Sequence, residues 1–292
     1  MSKFVFLTFD GLAFGMVYAA VALALVLIWR STRILNFAQG SMALASAYIA
    51  YTVIDQTGSY WLGFAAALVG GLAIGALVEF TLFRRLQHAP PINSVIVGVG
   101  LLILMEAIAG ILYGAELRPL DVPFSRNAFE IGGTALLSRF DLFVIGSVVL
   151  VMLLLGVLFT RTPVGLRMRA SAFAPEVARL LGVKVGGMLT LGWALAAVVG
   201  ALAAMLFIPT GLGLSPNAMD GVFVLGFTAA VVGGLESPAG AVVGGVVTGL
   251  VLSYSSGYVG SDITPIAALA LLVVVLLARP DGLFSRTQAR QV

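Results

Sequence analysis

The chain has 292 residues, of which 60% are hydrophobic and only 10% charged, with a mean hydropathy of +1.10; soluble domains carry roughly a quarter charged residues, so lipid rather than water is its natural solvent. It has no cysteine and a single histidine, His88, which excludes disulfides, thiolate chemistry and a histidine metal cluster. The pI near 9.4 reflects basic residues spread over short loops, a pattern that orients a membrane protein and does not call for nucleic acid.

Long unbroken apolar runs, such as residues 11–29 and 56–78, predict spanning helices rather than the alternating strands of a membrane barrel. Helices are expected near 9–29, 37–54, 61–83, 92–113 and 141–160, then near 188–208, 218–235, 239–256 and 263–278. Lys3 precedes the first run, but no small-residue cleavage site leads to a polar start, so this run reads as a retained first helix. Asn36 and Gln39 stand at the entrance to the second, where their amides can bond freed backbone or a substrate, with the structural use favoured. Glu79, near the inner end of the third, is explained by an ion pair with Arg84 or Arg85. Glu106 is the deepest acid and must face protein or water. It reads as a contact for a substrate ammonium or, more economically, as a tie between helices. The loop 114–140 carries Pro119, Pro123 and a Gly132–Gly133 turn signal, and is expected to pack across the outer mouth.

The loop 161–187 is more informative. Pro175 fits the first turn of a short helix, Glu176 suits its positive end, and Gly182 suits its stop. Beyond it, the segments 218–235 and 239–256 are short and rich in glycine, so they can be broken or re-entrant helices. Asn217 and Asp220 lie in the break before them, where a polar substrate could be met; a helix-start acid at the outer surface is the simpler reading of Asp220. The pairs Gly233–Gly234 and Gly244–Gly245 read as close-packing faces, since no Walker lysine accompanies them. Trp29, Tyr60, Trp61 and Tyr258 sit at span ends as interfacial anchors.

Orientation follows from the basic residues. With 161–187 inside, the inner loops and tail hold Arg30, Arg33, Arg84, Arg85, Arg161, Arg167, Arg169, Arg179, Lys184, Arg279, Arg286 and Arg290. Only Lys3, Arg118, Arg126 and Arg139 remain outside. The N-terminus is therefore expected outside and the C-terminus in the cytoplasm. The fold class is an all-α polytopic bundle of about eight or nine spans, one transmembrane domain over 1–292.

Five motifs in order carry a resemblance: GMVYAAVALAL at 15–25, ILNFAQG at 34–40, GLRMRA with PEVARLLGV at 165–183, VVGGLESPAGAVVGG at 231–245, and RPDGLF at 279–284. Together they resemble the permease subunits of ATP-driven importers, and most closely the branched-chain amino-acid permease family, related to ribose-type sugar permeases. The resemblance implies a coupling helix at about 170–182 that docks on an ATPase subunit, with Gly165, Arg167, Arg169, Ala170, Pro175, Glu176, Ala178, Arg179, Leu181 and Gly182 at the contact. It also implies cytoplasmic ATPase subunits, a second permease subunit (a paralogue or a copy of itself), an external substrate-binding protein and a bacterial inner membrane. No cofactor is expected on this chain, because ATP is bound by the separate subunit. Where the family commonly has histidine in its Asn-Phe-Ala-His-Gly pattern, this chain has Gln39, which cannot take a proton near neutral pH. Branched-chain or other amino acids are the expected cargo, with sugars, urea or small amides open. A carrier or channel working without an ATPase is the alternative. A membrane-embedded enzyme is disfavoured by the scattered acids and single histidine.

Overall fold

Each of the nine apolar runs folds as a helix, and the basic loop adds two more. The computed structural model describes residues 2–87, 89–131, 134–211 and 213–284; His88, the Gly132–Gly133 turn, Arg286 and Arg290 lie outside the described residues. The helices are α1 (Ser2–Thr32), α2 (Gln39–Thr57), α3 (Tyr60–Thr81), α4 (Pro91–Tyr113), α5 (Arg139–Arg161), α6 (Pro163–Phe173), α7 (Pro175–Leu180), α8 (Val185–Phe207), α9 (Asp220–Gly233), α10 (Pro238–Tyr258) and α11 (Thr264–Ala278). A hairpin of β1 (Ala128–Ile131) and β2 (Thr134–Ser138) interrupts them.

Among the described residues, seven helical stretches are long and apolar enough to cross a membrane: α1, α3, α4, α5, α8, α10, and α11 together with the 3-10 turn before it (Ser261–Ala278). The two exceptions differ in cause. α2 is long enough but carries Gln39, Ser41, Ser46, Thr52, Asp55 and Gln56. It packs among α3, α4 and α8, so its polar groups bond inside the protein, as Ser46 Oγ does to the Met42 carbonyl at 2.9 Å. α9 is apolar but only 14 residues long, about 21 Å against roughly 30 Å of hydrocarbon. The suspected half-span is thus α9, while α10 reaches full length. Burial separates central from peripheral helices: the apolar window of α1 is 89% buried and that of α11 only 11%. The peripheral faces are Leu-, Ile- and Val-rich, which suits lipid as the neighbouring phase.

The chain divides into two compact units, with divisions inside α1, α5 and α9 and in the loop between Pro123 and Phe124. In the unit of residues 1–26, 124–152 and 224–292, α1 lies against α10 through glycines on both. A Cβ on Gly245 would stand 2.6 Å from the Ala19 Cα, and one on Gly15 would stand 2.9 Å from the Gly245 carbonyl oxygen. The expected close-packing role of Gly245 is therefore met by backbone contact. Ser253 Oγ ties the two helices further, at 2.8 Å from the Leu7 carbonyl and 3.0 Å from Asp10 Oδ2. Ser138 and Asp141 form a reciprocal cap at the start of α5: Ser138 N–H donates to Asp141 Oδ2 at 2.7 Å, and Asp141 N–H donates to Ser138 Oγ at 3.0 Å. The RPDGLF stretch folds back on α9, with Leu283 N–H donating to the Val232 carbonyl at 2.9 Å.

In the unit of residues 27–123 and 153–223, α3 and α8 pack through small residues. A Cβ on Gly71 would meet Ala201 Cβ at 2.9 Å. Glu79 forms the expected ion pair with Arg84, Oε2 to Nη2 at 2.9 Å, and Thr190 Oγ1 of α8 donates to the same oxygen at 2.6 Å. Loop residues 114–123 are held by Arg118, which bridges backbone to Leu214 and donates to the Tyr51 hydroxyl at 3.0 Å. That hydrogen bond raises the guanidinium above its ordinary pKa. Tyr60, expected as an interfacial anchor, is buried instead, whereas Trp61 and Tyr258 are exposed.

Candidate functional site

Two groups of predicted residues are brought together in the unit of residues 27–123 and 153–223. The first is the segment between α5 and α8. Thr162 caps α6, its Oγ1 accepting from Gly165 N–H at 3.1 Å, and Pro163 takes the first helical position. Gly165 is buried where a Cβ would strike the Leu158 and Phe159 backbone, so the chain can turn back tightly there. The expected single helix at about 170–182 is instead a pair broken at Ala174, which has φ −141° and ψ 73°. The cause is Pro175: it has no N–H to continue α6 and disfavours helical backbone in the residue before it.

α7 ends in a Schellman motif. Gly182 has φ +80°, its N–H donates to the Arg179 carbonyl at 3.0 Å, and Val183 N–H donates to the Ala178 carbonyl at 2.9 Å. Val183 also packs on the cluster of Ala178, Val185 and Leu189, with Ala170 at its edge. Ala178 is 2% exposed, so it does not face a partner as expected; it anchors α7 to α8. Gly165 is likewise internal. The exposed residues of the pair are Arg167, Arg169, Glu176, Arg179 and Leu181, joined by Phe173, Val177 and Leu180, which sequence reasoning missed; Glu176 and Arg179 stand at its edge, toward the end of α1. Leu180 is 88% exposed, an unusual position for leucine next to charged residues. Its place three residues beyond Val177 was the available signal.

The second group is polar and lies among the helices. Asn36 and Gln39 are both 1% exposed. Asn36 Nδ2 donates to Gln39 Oε1 at 3.1 Å, Asn36 Oδ1 accepts from Ala38 N–H at 3.0 Å, and Gln39 Nε2 donates to the Ala196 carbonyl of α8 at 3.0 Å. They hold the start of α2 to α8, the structural use, and in this conformation they are sealed from any solvent-facing path. Glu106, Asn217 and Asp220, by contrast, converge from α4, the turn after α8 and the start of α9. Asn217 Nδ2 donates to Glu106 Oε2 at 3.3 Å and to Asp220 Oδ2 at 3.1 Å. Asp220 is the first residue of α9, as expected of a helix-start acid. Asn217 and Asp220 are exposed, Glu106 is half-buried, and their neighbours on α4 include the exposed Ile103, Leu104 and Ile108. Carboxylates on such a face need water or protein opposite them.

Residues 7–278 match the family described as "Branched-chain amino acid transport system / permease component". The chain is 26% identical over 300 residues to the high-affinity branched-chain amino acid transport system permease protein LivH of Escherichia coli K12, covering 97% of this chain and 96% of that one. It is 25% identical to the corresponding permease protein BraD of Pseudomonas aeruginosa, with the same coverage. The fructose import permease protein FrcC of Rhizobium meliloti is 27% identical over 78% of this chain and 64% of its own. Among solved structures, PsaBC from Streptococcus pneumoniae in complex with Fab superposes with a TM-score of 0.50 over 94% of this chain and 91% of that chain, at 14% identity; that likeness concerns the fold alone.

Proposed function

The chain belongs to the permease-component family of branched-chain amino acid transport systems, and from that premise we propose that it is the membrane-spanning permease subunit of an ATP-driven importer of aliphatic amino acids. It is a single permease domain without catalytic chemistry of its own. The observation that carries this reading is the α6–α7 pair: a helical lever capped at both ends, anchored by Ala178 and presenting Phe173, Val177, Leu180 and Leu181 between basic residues. A rigid apolar ridge with a charged rim suits a groove on a cytoplasmic ATPase subunit. The excess of basic residues on one side supports a lever inside, the N-terminus outside and the C-terminus in the cytoplasm, in a bacterial inner membrane.

The face of Glu106, Asn217 and Asp220 turns toward the translocation path and the second permease subunit, where its carboxylates meet water and the ammonium of the passing solute. An external binding protein delivers that solute. The likeness to a fructose import permease supports a sugar as the second reading. Co-expression with a neighbouring ATPase and binding protein, followed by vesicle uptake of labelled leucine and of fructose, decides between them. ATP-dependent leucine uptake supports the proposal. Fructose uptake alone replaces the cargo, and failure of any ATPase to co-purify overturns the importer reading.

A further inference from the structure

Behind α6 and α7 lies a cavity of about 420 Å³, walled also by the end of α1, the α3–α4 connection and α8. Small-molecule sites typically span roughly 300–1,000 Å³. Two of its lining residues, Trp193 and Ser171, are 0% and 3% exposed. Neither the indole Nε1 nor the hydroxyl has a hydrogen-bond partner among the described residues. An indole N–H can only donate, and a buried donor left unmatched is costly, so the site calls for an acceptor. The Trp193 ring is held in place by Phe83, with ring centroids 4.3 Å apart. The remaining wall is amphiphilic: Leu86 and Leu189 are apolar, while Arg33, Glu176 and Arg179 bring charges of both signs, and Glu79, which also lines it, is already paired with Arg84. Arg33 has φ +59°, a left-handed conformation that arginine holds only under constraint from its surroundings.

We propose that this cavity binds a free aliphatic amino acid and that its occupancy fixes the α6–α7 lever against the bundle. On binding, the carboxylate accepts from Trp193 Nε1 and Ser171 Oγ, which turn toward the cavity from their covered positions. The ammonium faces Glu176, and the side chain lies on Phe83, Leu86 and Leu189. Charges of both signs favour a zwitterion: an anion alone would meet Glu176 unpaired, and a cation alone would meet two arginines. Because α6 and α7 form one wall and α3 and α8 another, a bound amino acid stabilises the closed arrangement and opposes movement of the lever. The site therefore acts as a product sensor on the ATPase side. The identity of the ligand rests on the transport reading above, whereas the cavity and its donors do not.

The chain has three tryptophans, Trp29, Trp61 and Trp193, so Trp29→Phe with Trp61→Phe leaves Trp193 as the only indole. Titrating leucine onto this purified variant, without ATPase or binding protein, is expected to shift Trp193 emission saturably, whereas fructose leaves it unchanged. Ala172 lines the same cavity, and Ala172→Leu should weaken the leucine midpoint at least about tenfold by filling the space. In the assembled transporter, leucine should lower ATPase turnover in the parent and not in Ala172→Leu. An emission that ignores leucine, or responds equally in Ala172→Leu, overturns the site and leaves a cavity holding water only. Binding without any change in ATPase turnover overturns the sensor role. Leucine uptake without an emission response defeats this inference alone, and an emission response without leucine uptake defeats the cargo assignment alone.

Discussion

Glu79 and Glu106 are both acids within apolar helices, and their surroundings give them opposite uses. Glu79 is committed to Arg84 and Thr190, which makes it a structural tie between α3 and α8. Arg84→Ala leaves that buried carboxylate unpaired and should lower stability in detergent by on the order of 3 kcal/mol, whereas Glu79→Gln combined with Arg84→Met should recover most of the loss. Thermal unfolding of the three proteins checks this. Glu106 shares the Asn217 amide with Asp220, meets its carboxyl directly, and keeps an open side. A hydrogen bond to a charged group contributes about 1.5–3 kcal/mol, so Glu106→Gln should reduce amino-acid uptake about tenfold or more while leaving the melting temperature unchanged. Unchanged uptake would return Glu106 to the role of a helix tie. Nothing local in the sequence joins Glu106 to Asn217, because they are 111 positions apart and only helix pairing brings them together.

At the scale of elements, the α6–α7 pair makes the sharpest claim. Leu180→Asp places a charge in the centre of the proposed ridge without touching the anchor at Ala178. It should abolish stimulation of the partner ATPase while the permease remains folded and inserted. Gly182→Ala acts differently, forcing a Cβ into the left-handed region at a cost of about 1 kcal/mol, and should weaken coupling partially through fraying of α7. Co-purification and ATPase assays on both variants separate the two effects. The ends of this pair were readable from Thr162, Pro175 and Gly182, since capping chemistry is local. The inward side of Ala178 was not, because a six-residue helix has too little periodicity to show a face. The hairpin at β1 and β2 was visible only as a turn signal, its strands being four and five residues long. Hydropathy placed the nine apolar segments but could not rank them from centre to edge, since lipid and protein interior are equally apolar. Residue size helps to separate them: α8 buries Gly192, Ala194, Ala196, Ala197 and Gly200, whereas the lipid-suited α11 has no glycine and exposes Ile266, Leu269, Val274 and Leu277.

For the whole molecule, the natural lack of cysteine provides a clean test of direction. Ser125→Cys in the outer loop should react with a membrane-impermeant maleimide on intact cells, and Arg167→Cys should react only after permeabilisation; the opposite pattern overturns the orientation. That orientation also bears on the short helix α9. With 161–187 inside, the chain would leave α8 on the outer side, and the 14 residues of α9 supply about 21 Å of a descent of roughly 30 Å. The shortfall matches the depth of Glu106, seven residues or about 10 Å below the outer end of α4, where Asn217 meets it. In that orientation the turn at Asn217 would sit beneath the outer surface, open to water. A high-dielectric recess of this depth would shorten the electrical distance across the protein: an ion or zwitterion entering from outside would keep its water shell to the level of Glu106, and nearly the whole membrane potential would fall across the remaining two-thirds or so of the path.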